Sequence, residues 1–283
     1  MKTTILYSFL ALISISILVF IIIEPVKETV HEKRFRKSLT SEKLKMYEGK
    51  LKIYSSDIYD NHCFERGMIK YEWENYIGAK HDFTKAIRLN NKEAKYFYYR
   101  GETIAAIGAI NKNTRGYKKA LKDFNKAITI FPNYQDAYVK RGYVKFKLKD
   151  LKGAMADLTK SISLNPQNSM LGYDFRGRVK FELKDYVGAI DDYTNSLELG
   201  NNFEQVYMRR GDCYAELESY AGAIENYTMY TKLAPNDGEG FFKLGLMEIN
   251  KLPTDPVNGC SHLSKAGELG YELAYESIRK YCN

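Results

Sequence analysis

The stretch from Tyr138 to Pro166, YVKRGYVKFKLKDLKGAMADLTKSISLNP, decides the fold, because its pattern returns before and after it at a nearly fixed interval. An Arg-Gly pair stands at Arg66-Gly67, Arg100-Gly101, Arg141-Gly142, Arg176-Gly177 and Arg210-Gly211, and Leu244-Gly245 takes the same place once more. Successive glycines are 34, 41, 35, 34 and 34 residues apart. A period in this range belongs to stacked helical hairpins, each of which can bury its apolar face only against its neighbours.

The positions around each glycine repeat as well. Four residues before it stand Phe97, Tyr138, Tyr173, Tyr207 and Phe241, with Cys63 in the first copy. Twelve after it come Ala79, Ala154, Ala189 and Ala223, and sixteen after it come Phe83, Leu158, Tyr193 and Tyr227. Adding seven residues to the second copy brings Ala120, Phe124, Ala127 and Pro132 into register. Two antiparallel helices can approach closely only where one presents little bulk, so glycine and alanine are expected at their crossing and the aromatics between turns. Proline at Pro132, Pro166 and Pro235 ends a second helix, since its ring cannot continue the hydrogen-bond ladder.

This alternation of large and small residues, five good copies in register, resembles the tetratricopeptide repeat over residues 60 to about 270. The resemblance implies an all-α, right-handed α-solenoid of six helical hairpins, at about 60–93, 94–134, 135–169, 170–203, 204–237 and 238–270, with a cap at 271–283. In the cap, Leu273, Ala274, Ile278 and Tyr281 share one helical stripe that would hide the last apolar face. The seven added residues of the second hairpin fall between Gly108 and Gly116, close to two helical turns, so the hairpin can lengthen with its faces in register.

Ahead of the repeats, Ile5 to Ile23 is an uncharged run of 19 residues. As a helix it would reach about 28 Å, near the hydrocarbon thickness of a bilayer. No Ala-x-Ala pattern precedes Glu24-Pro25, which favours an uncleaved transmembrane anchor (1–24) over a signal peptide. A charged spacer (25–59) follows, and the array proper covers 60–283. The formal charge of +8 is no nucleic-acid signal, because nine Lys or Arg against five acids between Glu24 and Lys52 hold half of the excess.

Two signals on orientation disagree. Lys27, Lys33, Arg34, Arg36 and Lys37 follow the apolar run and favour cytoplasmic repeats. Cys260 and Cys282 favour the extracytoplasmic, periplasmic-type side: if their helices run antiparallel the two thiols meet, and a disulfide there needs an oxidising compartment. Two unpaired thiols are the alternative. Cys63 and Cys213 lie in the first and fifth repeats and read as buried small residues.

No reactive constellation emerges. His31, His62, His81 and His262 lack metal-ligand spacing, no two cysteines are two to four residues apart, and the glycines belong to the repeat, so no enzyme, metal or cofactor is expected. An acid recurs fifteen residues after the glycine, at Asp82, Asp157 and Asp192, with Asp123 in the lengthened copy and Asn226 in the fifth. Where arginine gives way to Leu244 the acid is lost too, which points to an arginine-aspartate pair within or between hairpins.

In tetratricopeptide proteins the inner face of the first helices lines a concave groove. The resemblance places Phe64, Met68, Tyr98, Tyr99, Lys140, Tyr143, Phe146, Phe175, Arg178, Met208, Arg209 and Phe242 there as partner-binding residues. Aromatics mixed with both signs of charge suit a protein or peptide partner. The competing reading is that about half of these aromatics seal adjacent hairpins. Some family members clamp a terminal carboxylate with lysine and asparagine, but Phe64, Met68 and Tyr99 stand where those would be needed. The expected function is a membrane-anchored scaffold or adaptor without catalysis; the alternative is a chaperone or assembly factor for envelope or secreted proteins.

Overall fold

A computed structural model describes residues 57–282, together with Lys45, Gly49, Lys52 and Tyr54. The apolar run 5–23 and nearly all of the charged spacer lie outside the described residues. Thirteen α-helices and one short 3-10 turn, with no strand, are found among the described residues. They are α1 (Asp60–Glu72), α2 (Tyr76–Leu89), α3 (Ala94–Ile110), α4 (Thr114–Ile130), α5 (Gln135–Lys147), α6 (Leu151–Leu164), α7 (Met170–Glu182), α8 (Tyr186–Glu198), α9 (Glu204–Glu216), α10 (Tyr220–Leu233), α11 (Gly238–Lys251), α12 (Val257–Glu268) and α13 (Leu273–Tyr281). The helices group into two compact units divided between Ile107 and Gly108, within α3.

Four of the hairpins close through the same turn. Glu74, Lys149, Lys184 and Glu218, seven residues after the glycine, adopt positive φ of 55 to 63°. One residue later Asn75, Asp150 and Asp185 cap the second helix by accepting a hydrogen bond from the N–H of Gly78, Gly153 and Gly188. Such a cap satisfies one of the donors that a helix start leaves unpaired.

Within a hairpin the helices cross where the repeat leaves room. A Cβ at Gly177 would stand 2.8 Å from the Tyr193 ring of α8. Ala79, Ala154, Ala189 and Ala223 are fully buried beside those crossings. In the first unit Phe64 and Phe83 pack with Cys63, Ala79, Ala86 and Tyr96. In the second, Val139, Ala154, Leu158 and Val179 form one cluster and Ala189, Tyr193, Val206 and Cys213 the next.

The added residues between α3 and α4 are helical. Helices α3 and α4 have 17 residues each, against 13 in α5 and 14 in α6, so the seven extra residues add about one turn to each. At the new tip a Cβ on Gly108 would stand 3.0 Å from the Cα of Gly116, which shows how closely the backbones approach there.

The cap differs from expectation in one residue. Ala274 is fully buried, but Leu273 is 56% exposed. Leu273 opens α13 next to the buried Ala274, and neighbouring residues on a helix point about 100° apart, so burying one turns the other outward. Cys260 in α12 and Cys282 at the end of α13 are bonded, with their Cα atoms 5.7 Å apart. Cys63 and Cys213 are free and buried, and burial pushes the Cys213 thiol up to about 12.

Candidate partner-binding site

The repeated arginines form a structural ladder. Arg141 donates to Asp157 from Nε at 2.8 Å and from Nη2 at 2.6 Å, and Arg176 meets Asp192 in the same way at 2.9 and 2.7 Å. Arg66 and Asp82 repeat the geometry. The remaining nitrogen reaches back one hairpin: Nη1 of Arg141 donates to Asn125 at 2.8 Å, and Nη1 of Arg210 to Thr194 at 3.1 Å. Both sequence alternatives therefore hold, since one side chain pairs within its hairpin and ties it to the preceding one. A lysine three residues after the glycine joins each aspartate, Lys70 at 2.7 Å, Lys145 at 2.8 Å and Lys180 at 2.9 Å. These acids are committed to the fold.

What remains for a partner lies on the first helices. In the second unit, α5, α7, α9 and α11 are joined side by side through residues at the expected positions. Tyr143 and Phe175 stack with ring centroids 4.9 Å apart. The guanidinium of Arg178 lies over the rings of Phe146, at 5.5 Å, and Phe175, at 5.3 Å. Arg209 donates to Asp174 at 2.9 Å, and Lys243 to Asp212 at 2.8 Å. Phe242 stacks on Tyr271. Tyr143, Phe146, Phe175, Arg178, Arg209 and Lys140 are all half-buried, with one edge open.

Three of the twelve expected groove residues are instead walls. Phe64 is 6% exposed and packs against Phe83, Tyr96 and Tyr99. Met208 is equally buried, among Tyr227, Tyr230 and Leu244, and Tyr98 is buried with its ring edge-on to Tyr99. All three stand three residues before their glycine, where Val139 and Asp174 are buried as well, whereas Tyr99, Lys140, Phe175 and Arg209, two before it, are half-buried. Met68 and Tyr99 are half-buried against the core of the first unit.

Between α5, α7 and α9 the second unit holds a pocket of about 160 Å³. Phe146, Arg178 and Arg209, expected from the sequence, line it with Asp212, Phe181, Glu182 and Tyr193. Its volume is below the roughly 300–1,000 Å³ of small-molecule sites, so it suits one side chain rather than a metabolite. Tyr193 was legible only as core; its hydroxyl, where Phe83, Phe124 and Leu158 carry none, was the available signal. Asp174 was overlooked three residues before its glycine. Burial pushes the Asp174 carboxyl up, against the opposing charges of Arg209 and Arg178. Burial likewise pushes Lys147 down, helped by the nearby Arg178 and Lys149. No cluster of metal-binding side chains occurs among the described residues.

A family model matches residues 135–168 and 204–237. These two segments match the tetratricopeptide repeat. A TPR repeat-containing protein of Methanocaldococcus jannaschii is 35% identical over 102 residues, 36% of this chain and 17% of that protein. The Hsp70-Hsp90 organizing protein of Triticum aestivum is 27% identical over 107 residues, 38% of this chain and 17% of its own length. The chain thus matches under a fifth of the length of these curated relatives. Among solved structures, pilF of Pseudomonas aeruginosa aligns with a TM-score of 0.66 at 16% identity, over 78% of this chain and 96% of that one. YrrB, described as a TPR protein with an unusual peptide-binding site, aligns at 0.57 and 21% identity, over 70% and 97%.

Proposed function

We propose that the chain is a membrane-anchored tetratricopeptide scaffold that captures an extended segment of a protein partner on the first-helix face of its second unit, and performs no chemistry. The observation that carries this reading is the row Tyr143, Phe175 and Arg178, which spans the first helices of two successive hairpins, α5 and α7, with one edge of each side chain open. Rigid aromatic anchors beside a few charges are what peptide recognition uses. The names of relatives point the same way, toward organising other proteins and binding peptides.

Anchoring rests on the uncharged run 5–23, and the division into anchor (1–24), spacer (25–59) and array (60–283) follows from it. The bond between Cys260 and Cys282 favours the extracytoplasmic side, where thiols are oxidised. That placement also supports a second reading, an assembly factor or chaperone for envelope or secreted proteins, which would release its clients quickly.

The test is a crosslinked pull-down from membranes comparing the natural chain with Tyr143→Ala/Phe175→Ala. Loss of the captured protein with unchanged helicity is expected; equal capture would move the binding surface elsewhere.

A further inference from the structure

The pocket between α5, α7 and α9 has an electrostatic bias that its lining acids conceal. Asp212 accepts hydrogen bonds from the Tyr227 hydroxyl at 2.7 Å and from Lys243 at 2.8 Å. Glu182 meets Lys149 at 3.1 Å. Arg209 is held by Asp174. Arg178 has no carboxylate within ion-pair distance among the described residues; its guanidinium is held by the faces of Phe146 and Phe175.

The pocket also holds a hydroxyl without a protein partner. Tyr193 is 1% exposed, lines the pocket, and its hydroxyl makes no hydrogen bond among the described residues. The corresponding hydroxyl one hairpin later, Tyr227, is bonded to Asp212. The little of Tyr193 that stays accessible opens on the pocket, so its hydroxyl can donate to a group that enters there. A cationic side chain entering here would find both acids engaged and two arginines facing it. An anion would find one guanidinium with no carboxylate at ion-pair distance, its charge offset at longer range by Asp174, and one idle hydroxyl donor.

Resting on the reading of this face as a partner-binding surface, we propose that the pocket takes a glutamate side chain from an extended partner segment. The carboxylate would accept a hydrogen bond from the Tyr193 hydroxyl and face the charge of Arg178. The methylene stem would lie along Phe146 and Phe181.

The test measures binding of fluorescent peptides to the full chain by polarisation. The probes are acetylated, amidated nonapeptide pools with degenerate flanks and Glu, Gln or Lys fixed at the centre, plus the Gln pool with a free terminal carboxylate. The Glu pool is expected to bind about tenfold more tightly than the Gln pool, as a hydrogen bond to a charged group implies. Tyr193→Phe, which places in this hairpin the residue that Phe83 and Phe124 supply in others, and Arg178→Met should each remove the preference while helicity and flank-dependent binding persist. Equal binding of Glu and Gln pools would overturn the pocket assignment while keeping peptide capture. Preference for the free-terminus pool would overturn it in favour of a terminal carboxylate. Absence of binding by every pool would overturn the peptide-binding reading itself.

Discussion

Arg176 and Asp192 meet through two parallel hydrogen bonds, 2.9 Å from Nε to Oδ2 and 2.7 Å from Nη2 to Oδ1, with Lys180 2.9 Å away on the same carboxylate. The fifth hairpin shows how the unit tolerates losing the acid. There Asn226 accepts from Arg210 at 2.7 Å, and its amide donates to the carbonyl of Gly222 at 2.8 Å. In the fourth hairpin the ammonium of Lys180 supplies that donor, to Gly188 at 3.0 Å. Tyr214 stands where the lysine would be and packs against Gly222. One neutral side chain thus replaces a carboxylate and an ammonium together.

Asp192→Asn alone should therefore destabilise the chain by about 1–3 kcal/mol, since it leaves Lys180 beside Arg176 without a counter-charge. Adding Lys180→Tyr should recover part of the loss. Urea denaturation of both variants and of Lys180→Tyr alone completes the cycle, and strict additivity would contradict the substitution logic.

Gly177→Ala forces a methyl against the Tyr193 ring at 2.8 Å, and the expected loss is about 1–3 kcal/mol, as for other overpacked cores. The double variant Gly177→Ala/Tyr193→Leu, with the smaller side chain that Leu158 contributes opposite Gly142, should be milder. Thermal unfolding of the two variants decides it.

Acid should weaken the first hairpin. Burial pushes the Asp82 carboxyl up, but its hydrogen bond with Arg66 and the charge of Lys70 push harder, leaving it below its ordinary value of 3.8. A carboxyl lowered by folding contributes stability that is fully present above that ordinary value and is lost as pH falls through the folded one. Hydrogen exchange in α1 and α2 should accelerate below about pH 4, and Asp82→Asn should flatten that dependence.

Reduction should loosen the C-terminal cap. The bond between Cys260 and Cys282 closes a span of 22 residues. Chain-entropy arguments put the stabilisation at about 3 kcal/mol. Dithiothreitol, or Cys282→Ser, should expose the amides around Ala274 and leave α5 to α9 protected. Denatured without reductant, the chain should offer two thiols, Cys63 and Cys213, to a labelling reagent; four would contradict the bond.

The hairpins were legible because their determinants are local and repeated. Gly177 and Tyr193, or Arg176 and Asp192, sit at fixed offsets that recur in sister copies, and a period shows what a single copy cannot. The binding face was legible only in outline, since position on a helix names the side a residue faces but not how deeply its neighbours cover it. Phe64 and Met208, three residues before their glycines, are buried as Val139 and Asp174 are, while Phe175 and Arg178, two before and one after Gly177, keep an open edge. The Tyr193 hydroxyl was hidden for the opposite reason: its ring obeys the core pattern, and only the pocket beside it gives the oxygen a use.

The central claim is that a protein partner is held on the first-helix face of the second unit. The direct measurement is site-specific photocrosslinking in native membranes, with the photoreactive residue placed in turn at Lys140, Tyr143 and Phe175, and on the second helices at Lys160, Asp191 and Asn195. The account predicts one partner band from the first three positions and none from the others. A band raised only from the second-helix positions would contradict it.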